Sequence, residues 1–278
     1  MKKRQTKRKR KFHPWQIFLS IFSVAVVLFL FLPIVIVIPM SFSSASSLQF
    51  PPPGFSLRWY ESFFGNAAWM EAAKTSFIVS TSASIIALIL GGFASYGLAK
   101  SDFRGKNLIL GNFIAPMIIP TIITGVALYI VFAQIGILGS LPGLILGHTL
   151  LIVPYIVLIT LPMFESFDKR IELAARSLGA NWLMIVRRII VPIIFPSLLA
   201  SWLFAFIISF DELIVTIFLA GAYNTLPKKM FNELVLQINP TITAISTLLI
   251  ALTAVFMIIV AFIMNKIAKS GTKINIGK

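Results

Sequence analysis

No cysteine occurs among the 278 residues, so disulfides and thiolate metal sites are excluded, while the redox compartment stays open. Charge is scarce: Asp, Glu, Lys and Arg make up 12% of the chain, against roughly a quarter in a soluble domain. Histidine occurs twice and no His/acid cluster repeats, so a catalytic metal site is not expected. A G-x-x-x-x-G-K-[ST] phosphate loop is missing too, since Gly105-Lys106 runs into Asn107 without the first glycine. Nor is there a serine-centred nucleophile elbow. The chain is read as no enzyme, with no catalytic residue, no metal and no cofactor of its own. Any chemistry must come from a partner.

What is present is apolar surface. Hydrophobic residues make up 58% of the chain, more than one globular core can hide, so a bilayer must supply the apolar solvent. Runs long enough to span it, about 20 residues each, lie at about 15–40, 72–99, 108–135, 143–164, 189–221 and 241–265. The fold class is all-α, a polytopic membrane protein with six transmembrane helices. The first run is too long for a signal-peptide core of roughly 7–15 residues and is read as a retained anchor.

The net charge of +15 would suit nucleic acid, but its distribution points elsewhere. Eight of the 24 basic residues crowd Lys2 to Lys11, and the rest mostly flank the apolar runs. With both termini on the cytoplasmic side, twenty basic residues fall inside. Only Arg58, Lys74, Lys228 and Lys229 fall outside. Lys and Arg are retained on the cytoplasmic side of short loops, which fixes this orientation.

The first external segment, 41–70, carries Pro51-Pro52-Pro53-Gly54, which forbids regular helix there. Trp59, Tyr60 and Trp69 suit an interfacial belt. Small residues crowd the second run, among them Ser80, Ala83, Ser84, Ala87, Gly91 and Ser95, which predicts a central helix with close neighbours. No internal repeat supports an inverted-repeat carrier.

The segment 165–188 is the longest cytoplasmic connection. Ile171, Ala174, Ala175 and Leu178 fall at i, i+3, i+4 and i+7 and make one apolar helical stripe, with Glu172 and Arg176 on the remaining faces. Asp168 is placed to cap the helix and Gly179 to end it. A second amphipathic segment, 181–188, leads to Pro192. Such a pair suits docking into a partner's groove. Spacing alone fits a helix lying on lipid headgroups equally well.

The pattern Ala174-Ala175-x3-Gly179-x9-Ile189-x-Val191-Pro192 resembles the "EAA" loop of binding-protein-dependent ABC transporter permeases, the family with the methionine-permease-like fold. The family has Glu directly before the two alanines. Here that position is Leu173, with Glu172 one residue earlier, so the ion pair of the family Glu is not assured. Within the family, blocks such as Pro52-Pro53-Gly54-Phe55-Ser56-Leu57-Arg58-Trp59-Tyr60 and Ser209-Phe210-Asp211-Glu212 resemble PotC-type permeases of spermidine/putrescine importers.

The resemblance implies an inner-membrane permease with a basic tail at 1–14, a first helix at 15–40 and the external segment 41–70. A five-helix permease domain at 71–265, with its coupling loop at 165–188, and a cytoplasmic tail at 266–278 complete it. It further implies a second, PotB-like permease subunit, two ATP-binding subunits that carry ATP/Mg, and an external solute-binding protein. In the loop, Asp168, Glu172, Leu173, Ala174, Ala175, Gly179 and Pro192 would meet the ATP-hydrolysing subunit.

Asp211 and Glu212 lie inside the fifth run, where a carboxylate costs about 2.5–3.5 kcal/mol unless it faces protein or a water-filled path. About 28 Å of helix separates Pro192 from Asp211, which puts the acids in the outer half of the bilayer. Successive residues lie ~100° apart, so one acid can line a substrate pathway, with Ser209 on it, while the other bonds a neighbouring helix or the partner permease. The alternative is a buried acid satisfied by His148, Ser209 or the partner subunit. His148 is expected to bond between helices rather than titrate. Pro116, Pro120, Pro154 and Pro162 can loosen or kink their helices, as gates or as static bends. The alternative of another class is an ion- or proton-coupled carrier using the two acids. A membrane-embedded enzyme would need a catalytic set that is not seen.

Overall fold

The computed structural model describes residues 14–236 and 239–274. The basic run Lys2 to Lys11 and the end of the C-terminal tail lie outside the described residues. The chain folds as α1 (Pro14–Ser41), α2 (Arg58–Gly65), α3 (Ala67–Lys100), α4 (Lys106–Ile118), α5 (Thr121–Gln134) and α6 (Leu141–Glu165). It continues through α7 (Lys169–Ser177), α8 (Trp182–Ile185), α9 (Val191–Asp211), α10 (Ile214–Leu219), α11 (Leu226–Leu236) and α12 (Thr241–Ile274). Among the described residues there is no strand, only an isolated bridge between Ser43 and Phe55 that closes the proline loop.

Five stretches are long and apolar enough to cross a bilayer alone: Ile17–Ser41, Ala67–Lys100, Leu141–Glu165, Trp182–Asp211 and Thr241–Phe262. The apolar run at 108–135, where Pro116 and Pro120 were expected to loosen or kink the helix, is broken outright, with α4 and α5 meeting at 104°. Pro120 has no N–H to donate and forces Ile119 into extended backbone with ψ 132°, while Pro116 already weakens the last turns of α4. The pair is still one crossing. Lys106, at its start, lies 3.8 Å from Glu165 at the end of α6. Beyond its other end, Gly139 donates to the carbonyl of Leu219 at 3.1 Å, at the opposite face of the bundle. Counted with this pair, the described residues hold six candidate crossings.

The run at 189–221 is also not one helix. It enters through α8 and a π-helical turn, Val186–Ile190, where the Val191 N–H reaches back to the Val186 carbonyl beside Pro192, which has no N–H of its own. It breaks again at Glu212, before α10. Pro154 and Pro162, by contrast, sit inside one continuous α6.

Two boundaries lie further out than hydropathy placed them. Helix α3 starts at Ala67 because Asn66 caps it, accepting from the N–H groups of Ala68 and Trp69 at 2.9 and 3.3 Å. Helix α12 runs past 265 to Ile274. Within the external segment, Arg58 to Gly65 forms the short amphipathic helix α2, with Phe63 buried. Trp69 does not join an interfacial belt. It is 2% exposed, packed with Phe63, Ala72, Leu226 and Ile245.

The central position expected of α3 is found. It packs on both α6 and α9 through a buried stripe that includes Ser80, Ala83, Ser84, Ala87, Gly91 and Ser95. Approach is closest at Gly91, where a Cβ would stand 2.8 Å from Ile156. Thr160 of α6 donates to the Ser95 hydroxyl at 2.8 Å, so the contact is polar as well as close.

Candidate functional site

The loop between α6 and α9 is built by short-range chemistry. Asp168 accepts from the Arg170 N–H at 2.9 Å and starts α7. Gly179 ends it at φ +82°, a conformation that a residue without Cβ adopts without strain. Asn181 then caps α8 by accepting from the Met184 N–H at 2.8 Å.

The predicted apolar stripe does not behave as one face. Ala175 turns inward, against a cluster of Phe164, Phe167, Ile185, Ile190 and Ile194. Ile171, Leu173, Ala174 and Leu178 are exposed, Leu178 at 88%. Glu172 takes the inward direction that the helical pattern had assigned to apolar residues, and is 7% exposed. Its carboxylate accepts from Lys100 at the end of α3 and from Arg176 at 2.9 Å. The Lys100 ammonium first, and Arg176 after it, hold the Glu172 carboxyl below its ordinary range despite burial. Trp182 of α8 donates its indole N–H to the Tyr96 hydroxyl at 3.3 Å, and the Tyr96 ring packs edge-on to Phe164. The loop thus presents an apolar surface outward and is tied inward by ions and aromatic rings. Pro192 lies in the first turn of α9, directly after the π-helical turn.

At the opposite side, the chain breaks after Asp211. Glu212 is half-buried, and its carboxylate accepts from the Val215 N–H at 2.9 Å, which satisfies a donor freed by the break. Asp211 is exposed and lines a pocket of about 220 Å³ between α9 and α12, with Phe206, Phe210, Thr253 and Phe256. Phe206 packs against Phe210 and Phe256 at 5.6 and 5.5 Å.

His148 contacts neither acid. Its Nδ1 is 2.9 Å from the Ser209 hydroxyl and its Nε2 2.9 Å from that of Thr216, which joins α6, α9 and α10. Among the described residues no three of His, Asp and Glu gather as a metal-ligand set.

Lys100, Tyr96 and Thr216 were not singled out in the sequence. Lys100 is 72 positions from Glu172, beyond any local pattern; a charge at the last turn of a small-residue helix was the available signal.

Six apolar crossings around a small-residue helix, with a paired-helix loop at one side and a carboxylate among aromatic rings toward the other, define a multi-pass membrane transport protein. Residues 83–270 match the family described as "Binding-protein-dependent transport system inner membrane component", and the chain belongs to that family. The resemblance carried by Ala174 to Pro192 is met. Over 214 residues the chain is 32% identical to the spermidine/putrescine transport system permease protein PotC of Haemophilus influenzae, covering 77% of this chain and 83% of that one. It is 30% identical over 224 residues to the putrescine transport system permease protein PotI of Escherichia coli, covering 78% and 80%. Among solved structures, a bacterial ABC transporter involved in import of the acidic polysaccharide alginate shares the fold. There the TM-score is 0.65 at 18% identity, over 92% of this chain and 98% of that one. The chain is an inner-membrane permease component.

Proposed function

We propose that this permease, paired with a second related subunit, forms the import path for a polyamine of the spermidine/putrescine type. An external binding protein delivers the solute, and ATP/Mg is bound and hydrolysed on two partner subunits. The α7–α8 loop faces the cytoplasm, as the twenty-to-four bias of basic residues favours. Its exposed Ile171, Leu173, Ala174 and Leu178 suit a partner's groove.

The observation that carries the substrate class is Asp211, an exposed carboxylate among Phe206, Phe210 and Phe256. Ammonium groups are drawn both to carboxylates and to aromatic faces, so this wall suits a slender polycation. The names of the relatives point the same way. In vesicles holding the full complex, Asp211→Asn lowers spermidine uptake at least tenfold while the complex still purifies. Asp211→Glu keeps most of the uptake. Unchanged uptake in Asp211→Asn removes Asp211 from the path. A cognate binding protein that binds amino acids or phosphonates but no polyamine removes the substrate class.

A further inference from the structure

The coupling loop joins α6 to α9, yet its polar ties run to neither. Among the described residues, the side-chain hydrogen bonds and ion pairs that tie α7 and α8 to the rest of the molecule come from the last two turns of α3, beside the apolar packing of Ala175 and Ile185 on α6 and α9. Lys100 bonds Glu172 of α7, and Tyr96 accepts from Trp182 of α8 at 3.3 Å. The Lys100 ammonium also stands 5.3 Å over the Phe167 ring, just before α7. One helix end therefore grips both members of the pair.

At its other end α3 holds α11. Ser76 accepts from the Leu226 N–H at 2.7 Å, and the Lys229 ammonium sits 4.6 Å over the Trp69 ring. About 36 Å of helix separates Ser76 from Lys100. Proline lies inside α1, α4, α6 and α9, whereas α3 contains none in its 34 residues. A proline-free helix keeps every interior hydrogen bond and transmits displacement with little bending.

We propose that Lys100 is a positioning residue that locks the coupling helices to α3, so that the loop and the central helix move as one body and carry the state of the motor across to α11. The inference rests on the reading of the loop as the site that meets the ATP-hydrolysing subunit. Without Lys100, Glu172 keeps only Arg176 of its own helix as partner, a side chain that is largely solvent-facing. Helix α7 is then free to turn relative to α3.

The test uses the complete complex in proteoliposomes. ATP hydrolysis is measured with and without liganded binding protein, alongside solute uptake. In Lys100→Met the complex assembles and hydrolyses ATP, but stimulation by the binding protein and uptake both fall at least fivefold. Lys100→Arg retains coupling. Glu172→Gln, which preserves shape, shows the same loss, and the double variant is no worse than either single one, as expected of one shared interaction. Full stimulation in Lys100→Met, or losses that add in the double variant, overturn the inference. If Lys100→Met does not assemble, Glu172→Gln decides by the same criteria. If wild-type hydrolysis is itself unresponsive to the binding protein, the reading of the loop fails rather than the role of Lys100.

Discussion

Gly221 lies so close to Gly139 that a Cβ built on Gly221 would stand 2.7 Å from the Gly139 Cα. Gly221 also sits at φ +54° and Gly139 at φ +72°. The two turns therefore meet backbone to backbone, with the Gly139 N–H given to the Leu219 carbonyl at 3.1 Å. This contact seats the broken end of the fifth crossing on the turn before α6. Gly221→Val should destabilise the protein by about 1–3 kcal/mol through overpacking and a strained backbone. Gly65→Ala, which meets nothing within 4 Å, should change little. Thermal unfolding in detergent distinguishes the two, and equal midpoints would refute the packing argument.

The His148 imidazole works as a polar rivet with a defined direction. The Thr216 hydroxyl already donates to the Glu212 carbonyl at 2.9 Å, so it must accept from His148. Nε2 then carries the proton, and Nδ1 accepts from Ser209. The chain runs from α9 through α6 to the break after Asp211. His148→Leu leaves two buried hydroxyls short of a partner and should cost about 1–3 kcal/mol. Ser209→Ala should cost less, because Nε2 keeps its acceptor. Unfolding midpoints that fall in the reverse order would contradict this direction.

Local chemistry was legible in the sequence and distant chemistry was not. The Asp168 cap and the Gly179 turn follow from rules spanning a few residues, and both are found. The crowd of small residues correctly marked α3 as central, because close approach is a property of each residue in the stripe. A bend at Pro120 was legible as a possibility, but its 104° size was not, and the same rule pointed equally at Pro154 and Pro162, which sit inside a continuous helix. Glu172 read as an outward-facing acid because its burial depends on Lys100, 72 positions away. Likewise, nothing local separates Asp211, which faces the pocket, from Glu212, which caps the next helix. The break between them makes that division.

The ion pair at Glu172 sets a pH window. Its carboxyl titrates below the ordinary 4.5 in the folded protein, with Lys100 and Arg176 as the charged groups facing it. A depressed folded value contributes stability above the unfolded one, and that contribution fades as pH falls through the folded value. Amide-exchange protection of α7, corrected for intrinsic rates, should hence stay level from pH 8 to about 5.5 and drop only in more acidic solution. In Glu172→Gln the protection should be lower throughout that range. A fall centred near pH 6.5 in the wild-type protein would mean that another group governs α7.

Gly179 separates the backbone demand of the loop from its space. A side chain there meets nothing within 4 Å, so bulk alone does not clash inside this chain. The left-handed φ of +82° is the constraint, costing roughly 1–2 kcal/mol for a residue with Cβ and more for a β-branched one. Asn tolerates that region better than Val. Gly179→Asn should therefore preserve the α7–α8 turn and most solute uptake, whereas Gly179→Val should lose coupling to ATP by tenfold or more while the permease itself remains folded. If Asn and Val fail equally, the loss comes from bulk in the partner's groove and not from the turn. Co-purification of the ATP-binding subunit with each variant reads out that difference directly: a steric block abolishes capture in both, and a strained turn weakens it chiefly in Val.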